Sequence, residues 1–239
     1  MPSVDVVISL RDVHKDYRGL RPLRLQSLEV RQGESVALVG LDSTAAEVFV
    51  NLVIGATLPD SGEVLSFGTP TSAITDADEW LAGMHRFAIL SERVVLLESF
   101  TVEQNLALPF SLDIDRISDE VASRVRELAD EVGLASHVLA EAVGTLNASG
   151  VHRTRLAKAL ALGPRVLLAE HPNAAFPPEE LPRFAIDLAA IAARRQLAMV
   201  VMTADATFAR AVAGRAFRVH PATGQLTTVG GWKDWLTRR

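Results

Sequence analysis

Short continuous apolar runs set off by glycine, proline and charged residues organise this chain. Val6-Val7-Ile8-Ser9-Leu10 and Leu25 to Val30 are spaced as strands, and Arg31-Gln32-Gly33-Glu34 is a turn. Ser35-Val36-Ala37-Leu38-Val39 is apolar almost without interruption, as in a strand covered on both faces. Gly40 ends it, a loop runs from Leu41 to Thr44, and Ala45 to Ile54 has the composition of a helix. In the middle of the chain the period changes. Val121, Val125, Leu128 and Val132 recur at helical spacing among Glu, Asp and Arg, with Ser118 placed to start the helix. With Leu96 to Leu108 before it, this stretch is expected to be a helical insertion. Alternation then returns. A helix over Val151–Leu162 stops at Gly163-Pro164, and Arg165 to Ala169 is a buried strand. A helix over Glu179–Arg195 and a buried strand over Leu197–Thr203 follow. Strands alternating with helices predict a parallel sheet. Gly230 to Trp235 forms a short terminal appendage with no assigned use.

Composition narrows the class. The 239 residues suit one large domain or a core with an added lobe, and 49% are hydrophobic, which excludes a disordered chain. With no cysteine, thiol catalysis, disulfides and iron–sulfur clusters are excluded, and a reducing compartment is compatible. The histidines show no metal-ligand spacing, so no metal site is expected. The net charge of −5 argues against nucleic acid as a partner. A mean hydropathy of +0.21 hints at a surface covered by another protein. No apolar run spans a bilayer and Met1 to Asp5 has no signal-like pattern, so a cytoplasmic location is expected.

In a parallel sheet, ligands bind beyond the carboxyl ends of the strands. Here those ends carry Gly40, then Glu170-His171, then Ala204-Asp205. This order, with the helical insertion between the first two, resembles the nucleotide-binding subunits of ATP-binding-cassette (ABC) transporters. The resemblance extends from Val6 to about Leu226. Arg11 to Tyr17 is similar to the family's opening strand with its adenine-stacking aromatic. Leu58-Pro59-Asp60-Ser61-Gly62-Glu63-Val64 resembles its P-x-S-G-x-V turn. Thr101 to Pro109 resembles the T-V-x-E-N-v-a-l-P segment of the lipoprotein-release and macrolide-export branch, and Ala157 to Pro164 its A-R-A-L-a-x-x-P helix end. The resemblance implies an α/β fold: a RecA-like P-loop NTPase core, an N-terminal antiparallel β subdomain and an inserted α-helical subdomain. On this basis residues 1–239 are a single nucleotide-binding domain with the insertion at 92–144.

The chemistry-bearing letters differ from the family's. Its phosphate loop is G-x-x-G-x-G-K-S, in which glycines admit the phosphates to backbone N–H groups, Lys neutralises them and Ser holds Mg²⁺. The corresponding residues are Gly40, Leu41, Asp42, Ser43, Thr44, Ala45, Ala46 and Glu47. Ala46 replaces the Lys and Glu47 stands at the Mg²⁺ serine. A carboxylate ~5 Å from a phosphate charge costs roughly 3 kcal/mol at an effective dielectric near 20. The Q-loop glutamine falls on Glu92, and the signature L-S-G-G-Q on Leu146-Asn147-Ala148-Ser149-Gly150. The Walker B Asp and catalytic Glu fall on Glu170 and His171, and the switch histidine on Ala204, beside Asp205. No catalytic residue is therefore assigned.

Blander roles stand beside these. Tyr17 either stacks on adenine or is a half-buried strand-end aromatic, and the lost phosphate chemistry favours the latter. Asp42, Ser43 and Thr44 form an anion nest or, more simply, a polar turn before a helix. Asn147 and Ser149 touch a partner's γ-phosphate or cap a helix. His171 is a base, a pH sensor or a satisfied structural histidine, the last being favoured. Arg153, Arg155 and Lys158 are expected on a solvated helix face rather than in a phosphate patch. The functional expectation is a catalytically degenerate ABC subunit, peripheral on the cytoplasmic face of the membrane. It would pair head-to-tail with an intact nucleotide-binding subunit and dock a permease near Phe100–Phe110, through Leu106, Leu108 and Phe110. ATP and Mg²⁺ would be held by the partner only. The alternatives are a weak ATPase with rearranged ligands, and a soluble scaffold or regulator that kept the fold.

Overall fold

The computed structural model describes residues 5–114 and 116–230, so Trp232 and Trp235 of the expected appendage lie outside them. In chain order, β1 (Val6–Lys15), β2 (Leu23–Arg31) and β3 (Ser35–Val39) lead into α1 (Ser43–Val53). Next come β4 (Ser61–Ser66), β5 (Thr69–Pro70), α2 (Ala77–Met84) and β6 (Phe87–Leu90). Then follow α3 (Val102–Ala107), α4 (Asp119–Glu131), α5 (Ala148–Leu160) and β7 (Val166–Glu170). The chain closes with α6 (Leu181–Arg194), β8 (Ala198–Thr203), α7 (Ala206–Val212), β9 (Arg215–Val219) and β10 (Leu226–Thr228).

The strands form a four-stranded antiparallel sheet of order β2-β1-β4-β5 and a six-stranded sheet of order β10-β9-β3-β8-β7-β6. In the latter, β9, β3, β8, β7 and β6 are mutually parallel and β10 is antiparallel. Side chains of β3, β7 and β8 alternate between two cores, as a period of two requires. Ala37, Val39, Leu167, Ala169, Met199 and Val201 face one core with α3 to α7. Val36, Leu38, Val166, Leu168, Val200 and Met202 face the other with α1 and the antiparallel sheet. The continuous apolar runs are thereby explained, because both faces are covered. Each fully buried large apolar side chain of these strands contributes about 1.5–3 kcal/mol.

Where sequence pattern and structure differ, pairing decides. β1 continues past Leu10 to Lys15 although its alternation breaks at Arg11-Asp12. Its register with β4 shifts between Arg11 and His14, and Asp12 has φ 49°. Gly62 faces that bulge, where a Cβ would lie 2.3 Å from the Asp12 carbonyl oxygen. β6 and β9 are short, mixed segments that are strands because β7 and β3 offer them edges. The helix expected from Val151 begins at Ala148, because Asn147 caps it. Among the described residues no helix is long and apolar enough to cross a membrane.

Candidate functional site

The carboxyl ends of β3, β8, β7 and β6 form one rim, and the first helix starts there. Gly40 ends β3 at φ 107°, where a Cβ would lie 3.3 Å from the Val219 carbonyl oxygen. A left-handed residue is needed here to turn the chain toward α1. Asp42 then caps α1, its carboxylate accepting from the Ala45 N–H at 2.8 Å. The helix N-terminus, a natural anion site, therefore already holds a carboxylate of its own chain. Ser43 and Thr44 are exposed at the first turn. Ala45 and Ala46 are buried in the core, Ala46 completely. An Ala at this position leaves no cation in the loop.

Beyond the loop the acidic residues meet an arginine. Glu170, the last residue of β7, is only 8% exposed and keeps its carboxylate hydrogen-bonded. The Ser91 hydroxyl donates to its Oε2 at 2.9 Å, and Arg93 Nε donates to the same oxygen at 3.3 Å. Arg93 Nη2 bonds Glu170 Oε1, and Arg93 Nη1 donates to Glu47 Oε1 at 2.9 Å. One guanidinium thus bridges Glu47 on α1 and Glu170 on β7 through a planar fork suited to carboxylates. Glu92 is exposed at the edge of the same cavity. That cavity, which also borders Thr44 and His171, has a volume of about 210 Å³. This is below the ~300 Å³ at which pockets for drug-sized ligands begin. Sequence reasoning missed Arg93 and Ser91. The available signal was charge: acids at Glu47 and Glu170 on one rim require a counter-charge, and Arg93 is the third residue beyond β6.

The remaining candidates scatter around the rim. His171 has φ 45°, its N–H donates to the Met202 carbonyl at 2.8 Å, and its Nε2 is buried without a partner. The satisfied histidine expected from sequence is therefore satisfied only through its backbone. The left-handed turn that ends β7 leaves that ring nitrogen without a hydrogen-bond partner. Ala204 is exposed at the end of β8, while Asp205 caps α7 through the N–H groups of Thr207 and Phe208. Asn147 caps α5, accepting from Gly150 N–H at 2.8 Å and from the Ser149 hydroxyl at 3.2 Å. Leu146 is half-buried, Ala148 exposed and Ser149 buried at that helix start. Signature-aligned and phosphate-loop-aligned residues are not brought together within the chain, and no hydrogen bond among the described residues joins them.

Tyr17 lines a separate cavity of about 320 Å³ with Leu20, Arg21, Gly40, Asp42 and Val219. Its ring is half-buried against the second core and close over Gly19, where a Cβ would lie 2.3 Å from the ring. Burial, and then the Asp42 carboxylate, raise the phenol above its usual pKa.

The expectation of a solvated face on α5 is corrected. Arg153 donates to Asp187 at 3.3 Å and lies over Phe176 and Phe184. Arg155 Nε donates to the Val94 carbonyl at 3.2 Å, and Lys158 Nζ to the Val95 carbonyl at 3.0 Å. Burial lowers the Lys158 pKa. Arg155 and Lys158 hold backbone carbonyls of the segment after β6, because its loops expose acceptors that no strand pairs. One residue of the expected docking surface is corrected as well. Leu106 is fully buried in the core, with only Leu108 and Phe110 partly exposed. Val95, Leu97 and Leu112 are the exposed large apolar side chains flanking this stretch.

The family model described as "ABC transporter" matches residues 23–174. A methionine import ATP-binding protein of Caulobacter vibrioides is 30% identical over 211 residues, covering 87% of this chain and 63% of that protein. A lipoprotein-releasing system ATP-binding protein of Myxococcus xanthus is 29% identical over 215 residues, covering 87% of this chain and 94% of its own. The chain spans only 39–63% of the length of several import ATP-binding relatives it matches. Among solved structures, cbiO1 from Clostridium perfringens superposes with TM-score 0.80 at 17% identity, covering 98% of this chain and 92% of that one. A bacterial ABC transporter cassette solved as a dimer superposes with TM-score 0.77 at 22% identity, covering 94% and 100%. The fold is that of these cassettes, a RecA-like P-loop core with mixed α/β sheets and helices.

Proposed function

Because the chain belongs to the ABC transporter family, we propose that it is a catalytically degenerate nucleotide-binding subunit of a transport complex. The observation that carries this is the ion group Glu47–Arg93–Glu170. A Mg²⁺-nucleotide requires a free cradle of N–H groups, a loop cation and open metal ligands. Here Asp42 occupies the helix start, Ala46 is buried, and a guanidinium lies between the acids that face the cavity. The residues present do not fit ATP and Mg²⁺ at this site, so no hydrolytic step is derived through it. ATP turnover belongs to an intact partner subunit, whose site the Leu146–Gly150 turn faces in a head-to-tail pair. The helical insertion at 92–144 docks a permease through Val95, Leu97 and Leu112 beside Leu108 and Phe110, on the cytoplasmic face of the membrane. The likeness to cassettes of transport complexes, one of them solved as a dimer, supports a paired arrangement.

The test is a mild-detergent purification of the tagged chain from its native host, with co-purifying proteins identified. A permease with an intact ATP-binding homologue is the expected result. Recovery of the chain alone overturns the complex and leaves the soluble scaffold or regulator. One observation favours the weak-ATPase alternative: the cavity of about 320 Å³ beside Tyr17 stays open. Saturable binding of ATP with Mg²⁺ to the isolated chain, abolished by Tyr17→Ala, would support that alternative, and phosphate release by the same chain would establish it.

A further inference from the structure

The residues that fill the phosphate-side cavity also hold the connection that leaves it. Between β6 and α3 the chain runs through Ser91 to Thr101 as turns and bends without a regular element. Such a segment has no ladder of its own, and its polar backbone must be satisfied by neighbours. Its beginning is bound to the core: Ser91 and Arg93 hold Glu170 on β7, and Arg93 holds Glu47 on α1. Its middle is bound to α5, through Arg155 on the Val94 carbonyl and Lys158 on the Val95 carbonyl. Its end is bound to the helical region. The fully buried Asn105 on α3 accepts from Leu97 N–H at 2.8 Å and donates to the Leu97 carbonyl at 2.9 Å. Gly144 N–H donates to the Glu98 carbonyl at 2.9 Å, and Val143 N–H to the Phe100 carbonyl at 2.9 Å.

We infer that Arg93 together with Arg155 and Lys158 of α5 forms a clasp that holds residues 91–100, and α3 with them, in one position without nucleotide. The inference rests on the degenerate-site proposal in one respect, that nothing but the chain's own guanidinium need occupy the cavity. Three features give it force. Arg93 reaches two elements at once, so its loss frees the segment from α1 and leaves only the Ser91 hydroxyl holding it to β7. Glu170 is buried, and a buried carboxylate stays with its cation far more strongly than an exposed one. The α5 contacts come from long side chains clamped on carbonyls, so the segment is held from the side opposite Glu47 as well. The connection between core and helical region is then a strut rather than a hinge. A subunit built this way presents its apolar edge (Val95, Leu97 and Leu112) in a constant orientation.

Hydrogen–deuterium exchange of the intact chain at neutral pH tests this. In the nucleotide-free protein, peptides covering 91–100 should exchange about tenfold or more slowly than the exposed loop at 18–22. Arg93→Gln should raise their exchange about tenfold or more, with α3 following and β3 and β8 unchanged. That variant leaves Glu170 buried without its cation. The double variant Arg93→Gln/Glu170→Gln removes both charges and should keep the native circular dichroism while showing the same rise. Fast exchange at 91–100 in the unsubstituted chain overturns the clasp, as does unchanged exchange in both variants. Millimolar ATP with Mg²⁺ should leave 91–100 unchanged. A change there overturns the clasp, whereas ATP binding without such a change contradicts only the degenerate-site proposal.

Discussion

Glu170 and His152 are both polar side chains buried behind the same sheet rim, and the chain resolves their burial in opposite ways. Glu170 gathers Ser91 and Arg93, so both of its carboxylate oxygens are bonded. His152 on α5 is 1% exposed, and neither ring nitrogen has a partner. It is surrounded instead by Phe176 and Phe184, edge-on at centroid distances of 5.6 and 5.9 Å. Burial first, and then the charges of Arg155 and Arg153, lower its pKa to about 4, so the ring is neutral at pH 7. The lesson is about which state can be buried. A carboxylate survives burial only with a cation and donors, while an imidazole survives it by losing its proton. The carboxylate at the rim is matched by polar partners, and the imidazole on α5 is tolerated as uncharged packing.

The strongest way to break the comparison is to bury a charge that has neither solution. Ala46→Lys places an ammonium where the side chain is fully buried. Overpacking and desolvation together should lower stability by about 4 kcal/mol in denaturant unfolding. A loss below about 1 kcal/mol would mean the loop opens to seat the lysine, and the cradle shape survives.

Acid should act next most strongly, through His152. Its folded pKa of about 4 lies below the ordinary 6.5, so the unfolded chain binds more protons between those values. Stability is complete above pH 6.5 and falls as pH drops toward 4. The part owed to His152 should reach about 3 kcal/mol, from 1.36 kcal/mol per pKa unit. Comparing the chain with His152→Leu from pH 7.5 to 4 isolates it, and parallel curves would show that the ring finds a partner when protonated.

Arg93→Ala removes the cation from Glu170 while Ser91 remains. Because the arginine side chain is 45% exposed, the cost should be about 2 kcal/mol rather than the 3–5 of a fully buried pair. Equal stability would mean water replaces the guanidinium without loss. The smallest effect should come from His152→Leu at pH 7.5. It removes two unpartnered buried nitrogens and should stabilise by about 1 kcal/mol, read as a rise in thermal midpoint. A fall would show that the aromatic cage needs the flat ring.

The parts of the fold legible in the sequence are those where one local pattern decides. Val36–Val39 and Val166–Ala169 are short unbroken apolar runs bounded by turn residues, the pattern of strands covered on both faces. Ser118 and the spacing Val121-Val125-Leu128-Val132 placed α4 within a residue at each end. β9 and β10 were not legible, because their mixed residues are strands only by virtue of the β3 edge and of each other. The helix start at Asn147 was displaced by three residues, since a cap depends on a side chain turning back to a backbone N–H. Leu106 appeared suited to a docking surface until its burial was seen, as one face of a short helix cannot be told from the other without its neighbours.

By itself, the sequence determined what could not be at the rim: a lysine in the loop, a serine for the metal, a glutamate after β7 and a histidine after β8. Residue identity decides which protons, charges and donors exist, and no arrangement can supply a missing one. Only the tertiary structure decided what stands there instead. Glu47, Ser91, Arg93 and Glu170 come from separate parts of the chain, and their meeting depends on the parallel pairing of β6 with β7 and on the packing of α1. Electrostatic partners are chosen by distance in space, which sequence spacing does not encode across a crossover.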